Sequence, residues 1–354
     1  MKIAVLLSGG VDSSVALARL ARRRPEVQLT AFYLKIWLED ELSFLGECPW
    51  EEDLRHARAV AAQLDVPLEV VPLQRAYHER VVARALAELA AGRTPSPDIH
   101  CNELVKFGAF AELVGAGFDR IATGHYGRVV RAPHARLFTA PDPVKDQTYF
   151  LARLSPSQLA RIELPIGDLD KPAVRALARD LGLATQARKD SQGICFLGRI
   201  PYPEFVRHHL GQARGEIIEH ETGRVLGEHD GLWFHTVGQR RGLALGGGPW
   251  FVVGKEVATR RLWVTHARHL PEHRRTDFEV ESVHWLGQAP APDDPLELKL
   301  RHGPKRVTCA IEQREDTLRV RMAEPDPGVA PGQFAVFYRK GPLGTECLGC
   351  GVIR

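Results

Sequence analysis

The string Ser8-Gly9-Gly10-Val11-Asp12-Ser13-Ser14 follows a short apolar run, Ile3–Leu7, and leads into a helical pattern. Such a turn is built to hold an anion. Two glycines let backbone approach a ligand closely, and the N–H groups opening a helix sit at the positive end of its dipole. The hydroxyls of Ser8, Ser13 and Ser14 add donors. No Gly-Lys-Ser/Thr ending follows, so this is not the loop that grips β- and γ-phosphates. Two thiols offer a second chemistry. Cys101 ends the string Ser96-Pro97-Asp98-Ile99-His100-Cys101, just ahead of an apolar stripe at Leu104, Phe107 and Phe110. A thiol at a helix N-terminus favours its reactive thiolate form, and Asp98 lies near enough in sequence to exchange protons with a substrate. Cys195 follows a glycine-containing turn in Lys189–Gly198. Taken alone, each cysteine reads more readily as a quiet core residue than as a reactive thiol.

The elements that must position these groups change character along the chain. In the first half, KIAVLL, VQLTAFYLKIW, PLEVVPL and RIATG read as buried strands. Helical spacing in VDSSVALARLARRR, EEDLRHARAVAAQL, YHERVVARALAELAAG and KPAVRALARDLGL alternates with them, which argues a parallel sheet covered on both faces. From about Gly198 the segments GEIIEH, ETGRVLGEH, RGLAL, GGGPWFVVGKEV and RRLWVTH read as short strands between glycine-rich turns. Six strand-like segments, DFEVESVHWL, LELKLRHG, KRVTCAIEQ, TLRVRMAE, QFAVFYRK and CLGCGVIR, then suggest a closed antiparallel barrel or a sandwich. The expected architecture is an α/β parallel-sheet catalytic domain at 1–197, a small β-rich domain at 198–268 and a C-terminal β-barrel at 269–354.

Composition narrows the class further. With 354 residues, the chain is long for one core. A hydrophobic fraction of 44% and a charged fraction of 26% are those of a soluble globular protein. No apolar run reaches bilayer length and no signal-peptide layout precedes the first strand, so a cytoplasmic protein without a membrane partner is expected. Six cysteines are too sparse for a disulfide scaffold. The net charge of +3 identifies no partner, although 37 arginines against 10 lysines favour bidentate phosphate contacts.

SGGVDSS resembles the PP-loop of ATP pyrophosphatases, which adenylate a substrate oxygen and release pyrophosphate. Together with DIHCNELVKFGAF, ATGHYGR, KDQTYFL, DSQGICFLG, HTVGQRRGL, WFVVGKE and APGQFAVFY, in that order, it resembles the tRNA-specific 2-thiouridylase family over almost the whole chain. That resemblance implies a PP-loop domain, a small central domain and a C-terminal barrel. It implies ATP-dependent thiolation of the wobble uridine of lysine, glutamate and glutamine tRNAs, with Mg2+ on the ATP and sulfur from an upstream persulfide relay protein.

Residue by residue, the resemblance implies that Leu7, Ser8, Gly9, Gly10, Val11, Asp12, Ser13 and Ser14 hold ATP, with Leu34 and Gly124 bordering it. Ser96, Pro97 and Asp98 approach the target base, Cys101 is the nucleophile, Cys195 carries the persulfide sulfur, and Asp98 is the acid/base. His125, Lys145, Asp146, Gln147, Arg301, His302 and Gln333 contact tRNA. Three positions depart from the family pattern: Ser96 for Asn, Leu34 for Met, and Cys350 for a glycine, which creates Cys347-x-x-Cys350. Without a second cysteine pair the last is expected to be two strand residues, and no protein metal site is expected. Competing readings are another PP-loop ligase needing no thiol pair, a non-catalytic nucleotide sensor, and an iron–sulfur site on Asp98, Cys101 and Cys195. Valine at Gly9 or Gly10 should stop pyrophosphate release with the fold intact, and without tRNA both thiols should open towards Ser8–Ser14, the 192–197 segment poorly ordered or displaced.

Overall fold

The computed structural model describes residues 1–24, 26–36, 50–189, 201–291 and 293–354. Cys195, with its expected placement, and Cys48 lie outside the described residues.

Strands β1 (Lys2–Leu6), β2 (Gln28–Lys35), β3 (Leu68–Pro72), β4 (Arg120–Ala122) and β7 (Ile162–Glu163) form a parallel sheet in the order β3-β2-β1-β4-β7. Side chains alternate across β1, as strand geometry requires. Ile3 and Val5 pack with Leu17 and Leu20 of helix α1 (Val11–Arg23) and with Leu54, Ala57 and Val60 of α2 (Trp50–Gln63). Ala4 and Leu6 face the other layer, where Phe32 meets Val105, Phe107 and Phe110. That layer contains two helical segments, α3 at 74–90 and α4 at 97–113. The chain leaves β1 for β2 and later returns to pair β4 on β1's other edge. This reversal opens a crevice beyond the carboxyl ends of β1 and β4, the usual ligand position in such sheets. Short helices α5 (Thr148–Leu151), α6 (Pro156–Arg161) and α7 (Lys171–Asp180) complete the region, and α8 (Tyr202–Leu210) follows. Among the described residues no helix is long and apolar enough to cross a membrane.

The central sheet has the order β10-β11-β8-β9, with β8 at Gly215–Glu219, β9 at Val225–His229, β10 at Trp250–Glu256 and β11 at Arg261–His266. Its core is Ile217, Val252, Leu262 and Val264 under Trp250. One expected strand is absent. RGLAL is not extended, because Gly242 (φ 82°) and Ala244 (φ 52°) both take left-handed backbone.

The six C-terminal strands are β12 (Arg275–Trp285), β13 (Leu296–Lys299), β14 (Val307–Gln313), β15 (Leu318–Asp326), β16 (Phe334–Gly341) and β17 (Gly344–Ile353). They pair antiparallel in the order β12-β15-β14-β13-β16-β17, and β12 pairs again with β17 to close the barrel. A hairpin from the first region, β5 (Arg128–Val130) and β6 (Arg136–Phe138), adds onto β17 through Cys347↔Leu137. Three-residue strands carry too little periodicity to be read from sequence.

An ion pair is buried where these regions meet. Lys299 Nζ on β13 donates to Asp146 Oδ2 at 2.9 Å, with both side chains 1% exposed. The Thr148 hydroxyl donates to the same carboxylate at 3.0 Å. Removing one partner leaves a buried uncompensated charge, at a cost of about 3–5 kcal/mol. Lys299→Met should therefore lose about that much stability in urea unfolding, and adding Asp146→Asn should recover part of it. Equal losses in the single and double variants would contradict this.

Candidate active site at the carboxyl end of the parallel sheet

The phosphate turn is built from the end of β1. Leu7 is buried and donates its N–H to Phe32 O at 2.8 Å, which carries the strand one residue further before the chain turns at Ser8. Ser13 Oγ closes the turn, accepting from Ser8 N at 3.2 Å and donating to Gly10 O at 3.1 Å, while Ser14 Oγ donates to Gly10 O at 2.7 Å. Two of the three expected hydroxyl donors are thus engaged in shaping the turn, and exposed Ser8 has its Oγ 3.1 Å from Ser13 Oγ. The opening N–H groups of α1 have no intrahelical acceptors and face the crevice end of the helix. Val11 is buried beneath it.

The two glycines differ. Gly9 has φ 76°, and a Cβ there would lie 2.2 Å from Asp53 O. Gly10 has φ −82°, and a Cβ would meet only Ser8 Oγ at 3.5 Å. Gly9 is therefore required by the fold itself, and only Gly10 is small without a structural reason. The expectation that either position tolerates valine is corrected for Gly9. A third glycine, Gly124 beyond β4, packs its Cα so close to α1 that a Cβ would lie 2.6 Å from Ser13 N.

Charges around the turn are ordered. Asp12 Oδ1 accepts from Lys171 Nζ at 2.7 Å and from Tyr126 OH at 2.8 Å. Gln147 Oε1 accepts from Tyr126 N at 3.0 Å, so Gln147 turns inward and holds this group. Arg188 Nη1 donates to Gly9 O at 2.8 Å and its other nitrogen to Asp53. Lys171, Tyr126 and Arg188 were not singled out in the sequence. Tyr126 and Arg188 sit in or beside quoted motifs, but a tyrosine or arginine there carries no signal until a partner is known.

Helix α4 contains the thiol. It starts at Pro97 with Ser96 as its N-cap, and Cys101 begins a π-helical stretch, Cys101–Ala109. Cys101 thus lies one turn inside the helix rather than at its terminus, where the dipole effect has already faded. It is 1% exposed, so the expectation that it opens towards Ser8–Ser14 is also corrected. Its neighbour Asn102 donates to Phe150 O at 3.1 Å, and Phe107 lies 6.4 Å, ring to ring, from His125. Helix α4 therefore runs from the seam with the barrel towards the phosphate turn. Ser96 hydrogen-bonds the Tyr149 hydroxyl, which also donates to Phe334 O at 3.1 Å. Asp98 is half-buried and acts electrostatically on His302. Leu34 is half-buried on β2 and packs on the same core.

The residues expected to touch tRNA fall into two groups. Lys145 is half-buried, with its N–H on Asp142, and Arg301 is half-exposed in a bidentate pair with Asp326 at 2.8 and 3.1 Å. Asp146 is buried, His125 and Gln333 are half-buried, and His302 is exposed although its ring packs on Phe150. The Asp146 carboxylate is committed to Lys299, so a side-chain contact with tRNA is corrected to a supporting position. His125 Nδ1 lies 2.8 Å from Thr123 Oγ1, and burial reinforced by Lys106 pushes its pKa down to about 3. Burial also lowers that of His302, which stacks on Phe150 at 4.7 Å and meets Asp146 O at 3.1 Å. Both imidazoles are neutral at pH 7 and act as hydrogen-bonding or stacking groups. Gln333 binds through backbone, accepting from Ile353 N at 2.8 Å.

A parallel sheet with a glycine turn at its reversal point, followed by two β modules, defines a nucleotide-binding enzyme of the HUP class. Family profiles agree. One described as a tRNA methyl transferase HUP domain matches residues 1–199, a tRNA methyl transferase PRC-barrel domain 203–266, and an aminomethyltransferase beta-barrel domain 275–353. The tRNA-specific 2-thiouridylase MnmA 1 of Bacteroides thetaiotaomicron is 43% identical over 359 residues, covering 100% of this chain and 99% of that protein. That of Porphyromonas gingivalis is also 43% identical, over 364 residues, with the same coverage. The chain belongs to the tRNA-specific 2-thiouridylase family.

The glycine pair supplies a test. Gly10→Ala should keep stability within about 0.5 kcal/mol while weakening ATP binding at least tenfold, whereas Gly9→Ala should cost more than about 1 kcal/mol. Calorimetric titration and urea unfolding read the two quantities. The four described cysteines, 101, 309, 347 and 350, are all buried. Of the six thiols, no more than two should therefore react promptly with a disulfide reagent in native protein, against six after unfolding.

Proposed function

We propose that this chain thiolates the wobble uridine of lysine, glutamate and glutamine tRNAs through an adenylated intermediate, using Cys101 and Cys195. The observation that carries this reading is Arg188. It donates to Gly9 O in the phosphate turn and lies seven residues before Cys195, a span that extended chain covers in at most about 25 Å. The segment bearing the second thiol is thereby tied at one end to the ATP turn, an arrangement that a PP-loop ligase without thiol chemistry does not need. Two family profiles carry a methyl transferase description, but nothing in methyl transfer calls for a phosphate turn joined to a cysteine segment.

The uracil 2-oxygen attacks the α-phosphorus of ATP, and pyrophosphate leaves. Free N–H groups of α1 and the Gly10 backbone stabilise the developing phosphate charge. Mg2+ fits as a partner of the phosphates. Asp12 and Asp53 are the carboxylates beside the turn, and both already bind cations, so phosphate oxygens and water would supply most of its ligands. When bound, Mg2+ neutralises phosphate charge.

A persulfide on Cys195, charged by an upstream donor protein, then attacks C2 and AMP departs. Cys101 thiolate attacks the Cys195 sulfur, the sulfur–sulfur bond breaks, and thiouridine leaves behind a Cys101–Cys195 disulfide that a two-electron reductant resets. In the alternative, Cys101 assists proton transfer only, and an external thiolate attacks the Cys195 sulfur, breaks the sulfur–sulfur bond and is left in a mixed disulfide with Cys195. Asp98 exchanges the proton. Since Cys101 is buried, the target base must reach it by displacing cover at the Ser96–Asp98 end of α4. Lys145 and Arg301 supply phosphate contacts, with the exposed pair Arg240 and Arg241 extending them over the central domain.

Nucleoside mass analysis after incubation with tRNA, ATP and a persulfide source tests the scheme. Cys195→Ser and Cys101→Ser should each abolish thiouridine, by at least a hundredfold, while Cys195→Ser still releases pyrophosphate. Thiouridine formed at the wild-type level by Cys195→Ser overturns the mechanism.

A further inference from the structure

Thiolation leaves one group of ligating side chains in the central domain unused. His220 and Glu221 follow β8, and His273 closes the short turn Leu270–His273 that leads into the barrel. One ligand atom from each lies within 4.8 Å of the others. The backbone fixes this approach: His220 N donates to Val264 O and Gly223 N to Glu219 O, both at 2.9 Å. Glu221 Oε1 lies 2.9 Å from His273 Nε2 and accepts from the Thr265 hydroxyl at 2.5 Å. The His220 and His273 rings meet edge to face, 4.5 Å between centroids, with Trp263 6.1 Å from His220.

The contact between Glu221 and His273 uses one imidazole, whereas the cluster brings two together. Two imidazole nitrogens and one carboxylate oxygen are instead a donor set suited to a borderline divalent cation such as Zn2+. Around a tetrahedral ion with bonds near 2.1 Å, donors stand roughly 3.4 Å apart. His220 is exposed and the ligand atoms already lie within 4.8 Å of one another, so rotation of the His220 side chain brings the set closer to that spacing. The Thr265 hydroxyl already holds the carboxylate through Oε1, a contact of the kind that outer-shell partners make with metal ligands. A fourth position is left for water.

We propose that His220, Glu221 and His273 bind one Zn2+ ion, which joins the β8–β9 turn to the segment entering the barrel. Binding requires the lone pair of His273 Nε2, so the proton facing Glu221 passes to solvent or to Nδ1.

Full-length protein, stripped with a chelator, is titrated with Zn2+ alone and with Co2+ as a spectroscopic substitute. The thiols can also take metal, so the readout is the difference between wild type and the variants His220→Asn, Glu221→Gln and His273→Ala. Wild type should bind one equivalent more than each variant. That equivalent should give Co2+ ligand-field bands without sulfur-to-cobalt charge transfer, and Zn2+ should raise the Tm of wild type alone. Equal stoichiometry in wild type and folded His220→Asn, whose side chain is exposed, overturns the proposal even if the other variants fail to fold.

Discussion

Two charges taken out of water must stay together, and the pair formed by Asp146 and Lys299 holds the first region and the barrel in one arrangement. Everything around residues 146–150 hangs from it. Thr148 supports the carboxylate and reaches the Tyr338 hydroxyl of the barrel at 3.3 Å. Tyr149 joins Ser96, at the start of the thiol helix, to Phe334 of β16. The carbonyl of Phe150 receives Asn102, next to Cys101, and Gln147 reaches the other way to Tyr126 and so to Asp12 in the phosphate turn. A five-residue segment thus keeps the nucleotide end, the thiol helix and the barrel in register.

Crowding divides the work at the phosphate turn. Gly9 and Gly124 are small because backbone presses on them from Asp53 and Ser13, while Gly10 is small where the crevice is open. Lys171 and Tyr126 hold the one carboxylate of the turn, so a negative group beside incoming phosphates is neutralised before ATP arrives. The same economy places a neutral imidazole, His125, where a cation would otherwise have to be desolvated.

Much of this was legible in the chain because it is local. The parallel region and the six barrel strands follow from apolar runs and period-2 alternation, and the phosphate turn from glycines between a strand and a helix. Local reading failed where context intervened. RGLAL has strand composition, but Gly242 and Ala244 take left-handed backbone. Cys101 has the spacing of a helix terminus, yet the helix starts a turn earlier at Pro97 and carries the thiol into the core. Asp146 sits in a polar motif that reads as surface, and only a lysine 153 residues away makes its burial tolerable.

The sequence by itself determined the class of fold, the family and the chemistry-bearing side chains, since order, spacing and residue type carry that information along one dimension. Tertiary structure alone decided which polar groups face solvent and which are paired inside. It joined Arg188 to Gly9, closed β12 on β17, and brought His273 beside His220 and Glu221. The physical reason is that a buried charge or a crowded glycine is set by its neighbours in space, and no local pattern names a neighbour 50 or 150 residues away.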